Sequence, residues 1–202
     1  MRSVRVLVVA APAVVLAGLG LTHPQELTAT SAPWWTTLHI VLLPIFPLLA
    51  VSLWLLLRGV PGPVAWVARI AAYGYATFYS VTDVVVGIGA GELTRFNAAR
   101  GLPGRTAEVD RLFTVGNALG SIGVGCFLVA GAATALAVAM RVGRRALPGA
   151  LVLLVAAVLV AGGWHIYWPA GVATMLVLAV GLGLLAAVLP DGRPRGDHAG
   201  GG

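Results

Sequence analysis

Apolar residues run through this chain in long blocks, each closed by a short segment of polar, proline or glycine residues. Six blocks approach the ~20 residues that a helix needs to cross ~30 Å of hydrocarbon. They lie at roughly 6–21, 34–57, 64–90, 113–140, 148–164 and 170–189. A transmembrane β-barrel would instead show short alternating segments, and none is present. The pattern therefore predicts an all-α, polytopic transmembrane bundle of about six membrane-spanning helices. Residues 1–190 are read as one six-helix domain. The tail 191–202 lacks any apolar pattern and is read as a disordered cytoplasmic segment in which His198 is inert.

The first block follows Arg2 and Arg5 and has the outline of a signal peptide. The nearest small-residue site, Thr30-Ser31-Ala32, lies well beyond it and precedes Pro33, so an uncleaved helix is expected.

Composition agrees with a membrane class: 59% of residues are hydrophobic, 10% are charged and mean hydropathy is +0.94. Soluble domains carry about a quarter charged residues. All 13 basic residues are arginine, and no run of four occurs, so the high pI does not point to nucleic acid. The N-terminus and the linkers 58–63 and 141–147 carry arginine without acid, whereas 23–33 carries no arginine. Both termini are therefore expected to be cytoplasmic in a multi-pass protein of the cell membrane. That places 92–112 outside although it holds Arg95, Arg100, Arg105 and Arg111, together with Glu92, Glu108 and Asp110. Acidic residues count little in the positive-inside rule, and three basic clusters on the other face outweigh this loop.

Cys126 excludes an intrachain disulfide and is read as a small buried apolar residue. Glycine recurs at small-xxx-small spacing in Gly87/Gly91, Gly116/Gly120 and Ser121/Gly125. Such faces allow helices to approach closely, within the chain or toward a protein partner or second copy.

Chemistry concentrates on polar groups inside apolar blocks. Asp83 stands out, because an acid inside a span costs roughly 2.5–3.5 kcal/mol on insertion scales and is a functional candidate by default. Helical spacing puts Arg69, Tyr73, Ala76, Tyr79, Ser80, Asp83 and Gly87 on one stripe. Arg69 lies near enough to the inner end to snorkel. Counting about 1.5 Å per residue from the cytoplasmic ends puts His39 and Asp83 at roughly 28 Å, and His23 and His165 at roughly 25 Å. Three histidines and an aspartate thus share one layer near the external interface.

Helix ends at an interface tolerate polar residues, and Trp34, Trp35 and Trp168 fall in the same layer as an aromatic belt would, with Trp164 at its edge. That accounts for His23 and His165. His39 and Asp83 lie deeper within their blocks and carry the functional reading.

The candidate site is a metal site of His39, Asp83, His165 and His23, with Tyr79 and Ser80 as a supporting polar seam. Zinc or another imidazole-binding metal fits three imidazoles and a carboxylate. Haem between His39 and His165 is a weaker alternative. Pro44 and Pro47 free the carbonyls of Ile40 and Leu43 just inward of His39.

No HxxxH, HExxH, CxxC or Gly-x-Ser-x-Gly pattern assigns a reaction. Two further classes remain open: an accessory or scaffolding subunit without catalysis, and a small permease or proton-coupled transporter using Asp83. The sequence shows no internal repeat of the kind many transporters have, and the polar seam runs out below Tyr73 except for Arg69.

Overall fold

The computed structural model describes residues 2–163 and 166–190, and every regular element among them is helical. In chain order these are α1 (Arg2–Gly20), α2 (Ala32–Leu42), α3 (Phe46–Leu56), α4 (Pro63–Thr82), a π-helical segment (Asp83–Gly89) and α5 (Ala90–Ala99). They are followed by α6 (Ala107–Val142), a 3₁₀ turn (Gly143–Ala146), α7 (Leu147–Ala161) and α8 (Ala170–Val188). The expected tail 191–202 lies outside the described residues.

Among the described residues, four stretches are long and apolar enough to cross a membrane: Arg2–Gly20, Ala32–Leu56, Ala107–Ala161 and Ala170–Val188. The third predicted block is not among them. It folds as α4 and the π segment, which bring Arg69, Asp83 and several Tyr and Thr residues into the helix. The fourth and fifth blocks form one continuous stretch of 55 residues. That stretch doubles back at Gly143, whose φ of +68° suits glycine. A side chain at Gly131 on α6 would meet Ala157 Cβ on α7 at 3.2 Å, so the two helices run antiparallel.

Glycine contacts fix the remaining neighbours. Gly149 and Gly181 set α7 against α8, at Leu185 and Leu153 respectively. Gly183 faces Val6 and Gly20 faces Val172, which makes α1 and α8 antiparallel. Gly116 and Gly120 lie against Val86 and Thr82, and Gly123 against Tyr79, so α6 descends along α4 and its π extension. Two of the three predicted glycine pairs therefore serve packing within the chain. The third does not, since nothing lies within 4 Å of a side chain added at Gly125, and Ser121 is exposed. Cys126 is half-buried, with its Sγ against Gly74 on α4.

Charge separates along the bundle. One end gathers Arg2, Arg5, Arg58, Arg69, Arg141, Arg144 and Arg145, with no acid among the described residues there. Arg5 closes the C-terminus of α8 by donating to the carbonyls of Ala186 (3.0 Å), Pro190 (3.0 Å) and Leu189. Arg69 reaches back to the carbonyls of Leu57 (2.7 Å) and Val60 (3.0 Å), as a snorkelling arginine does.

The opposite end is mixed in charge. There Arg95 pairs with Glu92 at 2.6 Å and Arg105 with Asp110 at 2.7 Å. Segment 92–112, expected as a loop, is largely helical: α5 runs on to Ala99 and α6 starts at Ala107, leaving 100–106 as the turn. The i,i+3 pair on α5, and Glu108 and Asp110 in the first turn of α6, favour that extension.

Candidate functional site

The polar residues of the third block meet α2 near the mixed-charge end, and backbone irregularities on both partners make the meeting possible. Pro44 and Pro47 cannot donate to Ile40 and Leu43, so the second block breaks at residues 43–45 into α2 and α3. Its partner swells into a π-helix over Asp83–Gly89, the kind of insertion that frequently marks a working site. Two glycines on that partner then admit α2. A side chain at Gly87 would overlap the His39 ring, and one at Gly91 would overlap the Thr36 hydroxyl.

The result is a cavity of about 290 Å³. His23, Trp35, His39, Tyr79, Thr82, Asp83, Asn117 and Tyr167 bring polar atoms to it, and Phe46 and Phe113 contribute walls. His39 Nε2 faces Asp83 Oδ1 at 3.9 Å, too far for a direct hydrogen bond. The second carboxylate oxygen, Oδ2, is buried without a hydrogen-bond partner.

The orientation of both imidazoles follows from their backbone bonds. His39 Nδ1 lies 2.7 Å from the Trp35 carbonyl and His23 Nδ1 lies 2.7 Å from the Pro24 carbonyl. A carbonyl only accepts, so each Nδ1 carries the proton and each neutral ring keeps its lone pair on Nε2. The rings of His23 and His39 meet edge to face, with centroids 5.1 Å apart, and Tyr167 closes on His23 at 4.5 Å. Burial holds the His23 imidazole below its ordinary range, partly offset by the bond to Pro24.

Three of the four predicted site residues thus share one cavity: His23, His39 and Asp83. His165, like Trp164, lies outside the described residues. Of the supporting seam, Tyr79 lines the cavity and Ser80 is not among the lining residues. The stripe is rotated from its expected position: Tyr73 is 66% exposed, and Tyr75, which spacing placed off the stripe, is buried. Both lie in regular α4, whose buried face runs through Ala65, Ala68, Ala72, Tyr75 and Tyr79, and the π segment alters the register only beyond Thr82.

Trp35 departs from its expected belt position. It is buried, and its indole donates to the Val86 carbonyl at 3.1 Å within the π segment. Trp34 and Trp168 are exposed, as belt residues are. Asn117 was detectable in the sequence as a polar residue inside an apolar block, whereas nothing local marked Trp35 or Thr82.

Below the site the path is closed. Phe46 packs on Tyr79 with centroids 4.6 Å apart, and Tyr75 packs on Tyr79 at 5.3 Å and on Phe127 at 4.8 Å. Tyr75 and Phe127 belong to the main buried core. The cavity is a blind pocket toward the basic end.

No protein-family model, curated protein or solved structure matches the chain. Among the described residues, no three His, Cys, Asp or Glu side chains are grouped so that they could hold a metal ion.

Proposed function

We propose that this is a six-crossing cell-membrane protein with both termini cytoplasmic, whose pocket of His39, Asp83 and His23 binds a divalent metal ion from the external side. The observation that carries the metal reading is the facing pair. A lone pair on His39 Nε2 and a carboxylate 3.9 Å away are two donors within reach of one ion. Metal–ligand bonds of about 2.0–2.2 Å on each side require only a small closure of that gap. Pinning of Nδ1 by a backbone carbonyl is the outer support that metal-bound histidines normally have. His23 supplies a second nitrogen at the same wall, and His165 is assigned as the further ligand on its sequence position. The size of the cavity suits an ion with its waters better than a porphyrin, and the aromatic floor argues against a conduit.

Protein purified in detergent and stripped by chelator is expected to take up one Zn²⁺ per chain. His39→Gln should abolish uptake while the protein stays monodisperse. Wild-type protein that takes up no zinc would overturn the metal reading. Binding of a small organic ammonium that survives His39→Gln would overturn it in favour of the aromatic walls acting with Asp83.

The crossing number is supported by the antiparallel α6–α7 hairpin and by arginine gathered at one end. The orientation is supported by the acids that pair with arginine at the other end, leaving the basic end to obey the positive-inside rule. Cysteines placed at the exposed positions Ala99 and Arg144, in a Cys126→Ala background, test it. An impermeant thiol reagent added to intact cells should label Ala99→Cys and spare Arg144→Cys. The reverse pattern would invert the topology.

A further inference from the structure

The basic end holds a second cavity, of about 520 Å³, remote from the histidine pocket. Arg5, Arg58 and Arg141 line it with Leu55, Gly59 and Pro190, so it is built where α1, α3, α6 and α8 end together. Arg5 and Arg141 are held in place by backbone carbonyls, the former at the end of α8 and the latter at Gly59. Arg58 is exposed, and among the described residues neither an acid nor a carbonyl pairs with it. No acid among the described residues at this end balances the charge of Arg58 and Arg141.

Leu55 belongs at once to this cavity and to an apolar groove of about 480 Å³ between α1 and α3. The groove is walled by Val8, Pro12, Val15, Ile45, Leu48 and Val51, several of which present exposed aliphatic surface. Along α3 it extends from Leu55 back to Ile45, roughly 15 Å at helical rise. An arginine-lined chamber at a helix end thus adjoins, at Leu55, an apolar groove on the α1–α3 face.

We infer that this composite site binds one anionic phospholipid, with its phosphate between Arg58 and Arg141 and an acyl chain lying in the α1–α3 groove. A guanidinium offers several donors matched to phosphate oxygens. Basic pockets between helices at the cytoplasmic side are where such head groups are retained. The groove supplies what a free phosphate would not need, and the arginines supply what a zwitterionic lipid would not select.

Native mass spectrometry of the full chain, delipidated in detergent and titrated with phosphatidylglycerol, tests this. Phosphatidylcholine of identical acyl chains and inorganic phosphate serve as comparison probes. One phosphatidylglycerol should bind about tenfold more tightly than phosphatidylcholine. Arg58→Gln breaks no hydrogen bond among the described residues and should remove most of that preference, and Arg58→Gln/Arg141→Gln should remove the rest. Leu55→Trp, which fills the channel mouth, should weaken both lipids. Arg144→Gln/Arg145→Gln alters exposed arginines outside the cavity and should leave the preference intact.

Three results would overturn the inference. One is a preference that survives Arg58→Gln/Arg141→Gln. Another is equal loss in the Arg144→Gln/Arg145→Gln protein, which means diffuse attraction to the basic face. The third is displacement of phosphatidylglycerol by millimolar inorganic phosphate together with insensitivity to Leu55→Trp, which means a soluble-anion site.

Discussion

Gly87→Ala is expected to destabilise the protein by about 1–3 kcal/mol and to abolish zinc uptake with it. The new methyl group would occupy the space of the His39 ring, overlapping its Cδ2, Cγ and Cβ atoms. That ring has little freedom to move aside. Its Nδ1 is bonded to the Trp35 carbonyl, Trp35 stacks against it with centroids 4.9 Å apart, and His23 closes its other edge. The overlap must therefore be relieved by separating α2 from the π segment or by swinging His39 away from Asp83. Either movement costs packing, and either removes a ligand. For a chain of this size the loss should appear as a fall in Tm of roughly 2–4 °C per kcal/mol. Gly125→Ala provides the control, because nothing lies within 4 Å of its added methyl. In a helix interior it should leave stability unchanged or raise it by up to ~1 kcal/mol. Equal Tm values for the two substitutions, with zinc uptake intact in both, would mean that α2 is not seated on the π segment as described.

Gly87 also marks where sequence reading ends. Its spacing to Gly91 declared a close helix contact, and such a contact exists, but spacing could not say that the partner is a histidine on α2. Depth counting brought His39 and Asp83 to one level because α4 is regular up to Asp83 and the break at residues 43–45 is short, and the two face each other at 3.9 Å. The same arithmetic failed for the seam below Asp83: Tyr75 turned inward where Tyr73 was expected, because the buried face of α4 runs through Ala65, Ala68, Ala72, Tyr75 and Tyr79, on the other flank of Asp83 from the one the polar residues suggested. Trp35 escaped for a different reason. A tryptophan at the end of an apolar block is ordinarily interfacial, and this one instead turns into the bundle to donate to the Val86 carbonyl. The apolar blocks themselves were legible because burial in lipid demands long uninterrupted stretches. The break at residues 43–45 followed from two prolines, and the helical extension through Ala99 depended on charge pairs beyond the apolar pattern.

Asp83→Asn is expected to lower zinc affinity by about 100-fold or more, ~3 kcal/mol, while leaving the metal-free protein as stable as wild type or more so. The two halves of that expectation rest on different observations. Loss of affinity follows from removing the anionic donor opposite His39, since an amide neither neutralises the ion nor binds it comparably. Retained stability follows from how poorly the carboxylate is served by its own fold. It is buried, one oxygen has no hydrogen-bond partner, and the other stands 3.9 Å from the imidazole. A buried acid without good partners returns little to the fold whether it is ionised or takes up a proton, so a neutral isostere costs little and relieves any charge it carries. The asparagine NH₂ can moreover donate to the lone pair on His39 Nε2, which an ionised carboxylate cannot do. If Asp83 served only architecture, its replacement would instead destabilise by about 3–5 kcal/mol, as breaking a working buried pair does. Thermal unfolding with and without chelator therefore separates the roles: a Tm that falls in the metal-free Asp83→Asn protein assigns the residue to the scaffold. A Tm that holds, while the zinc-dependent rise in Tm disappears, assigns it to the ligand.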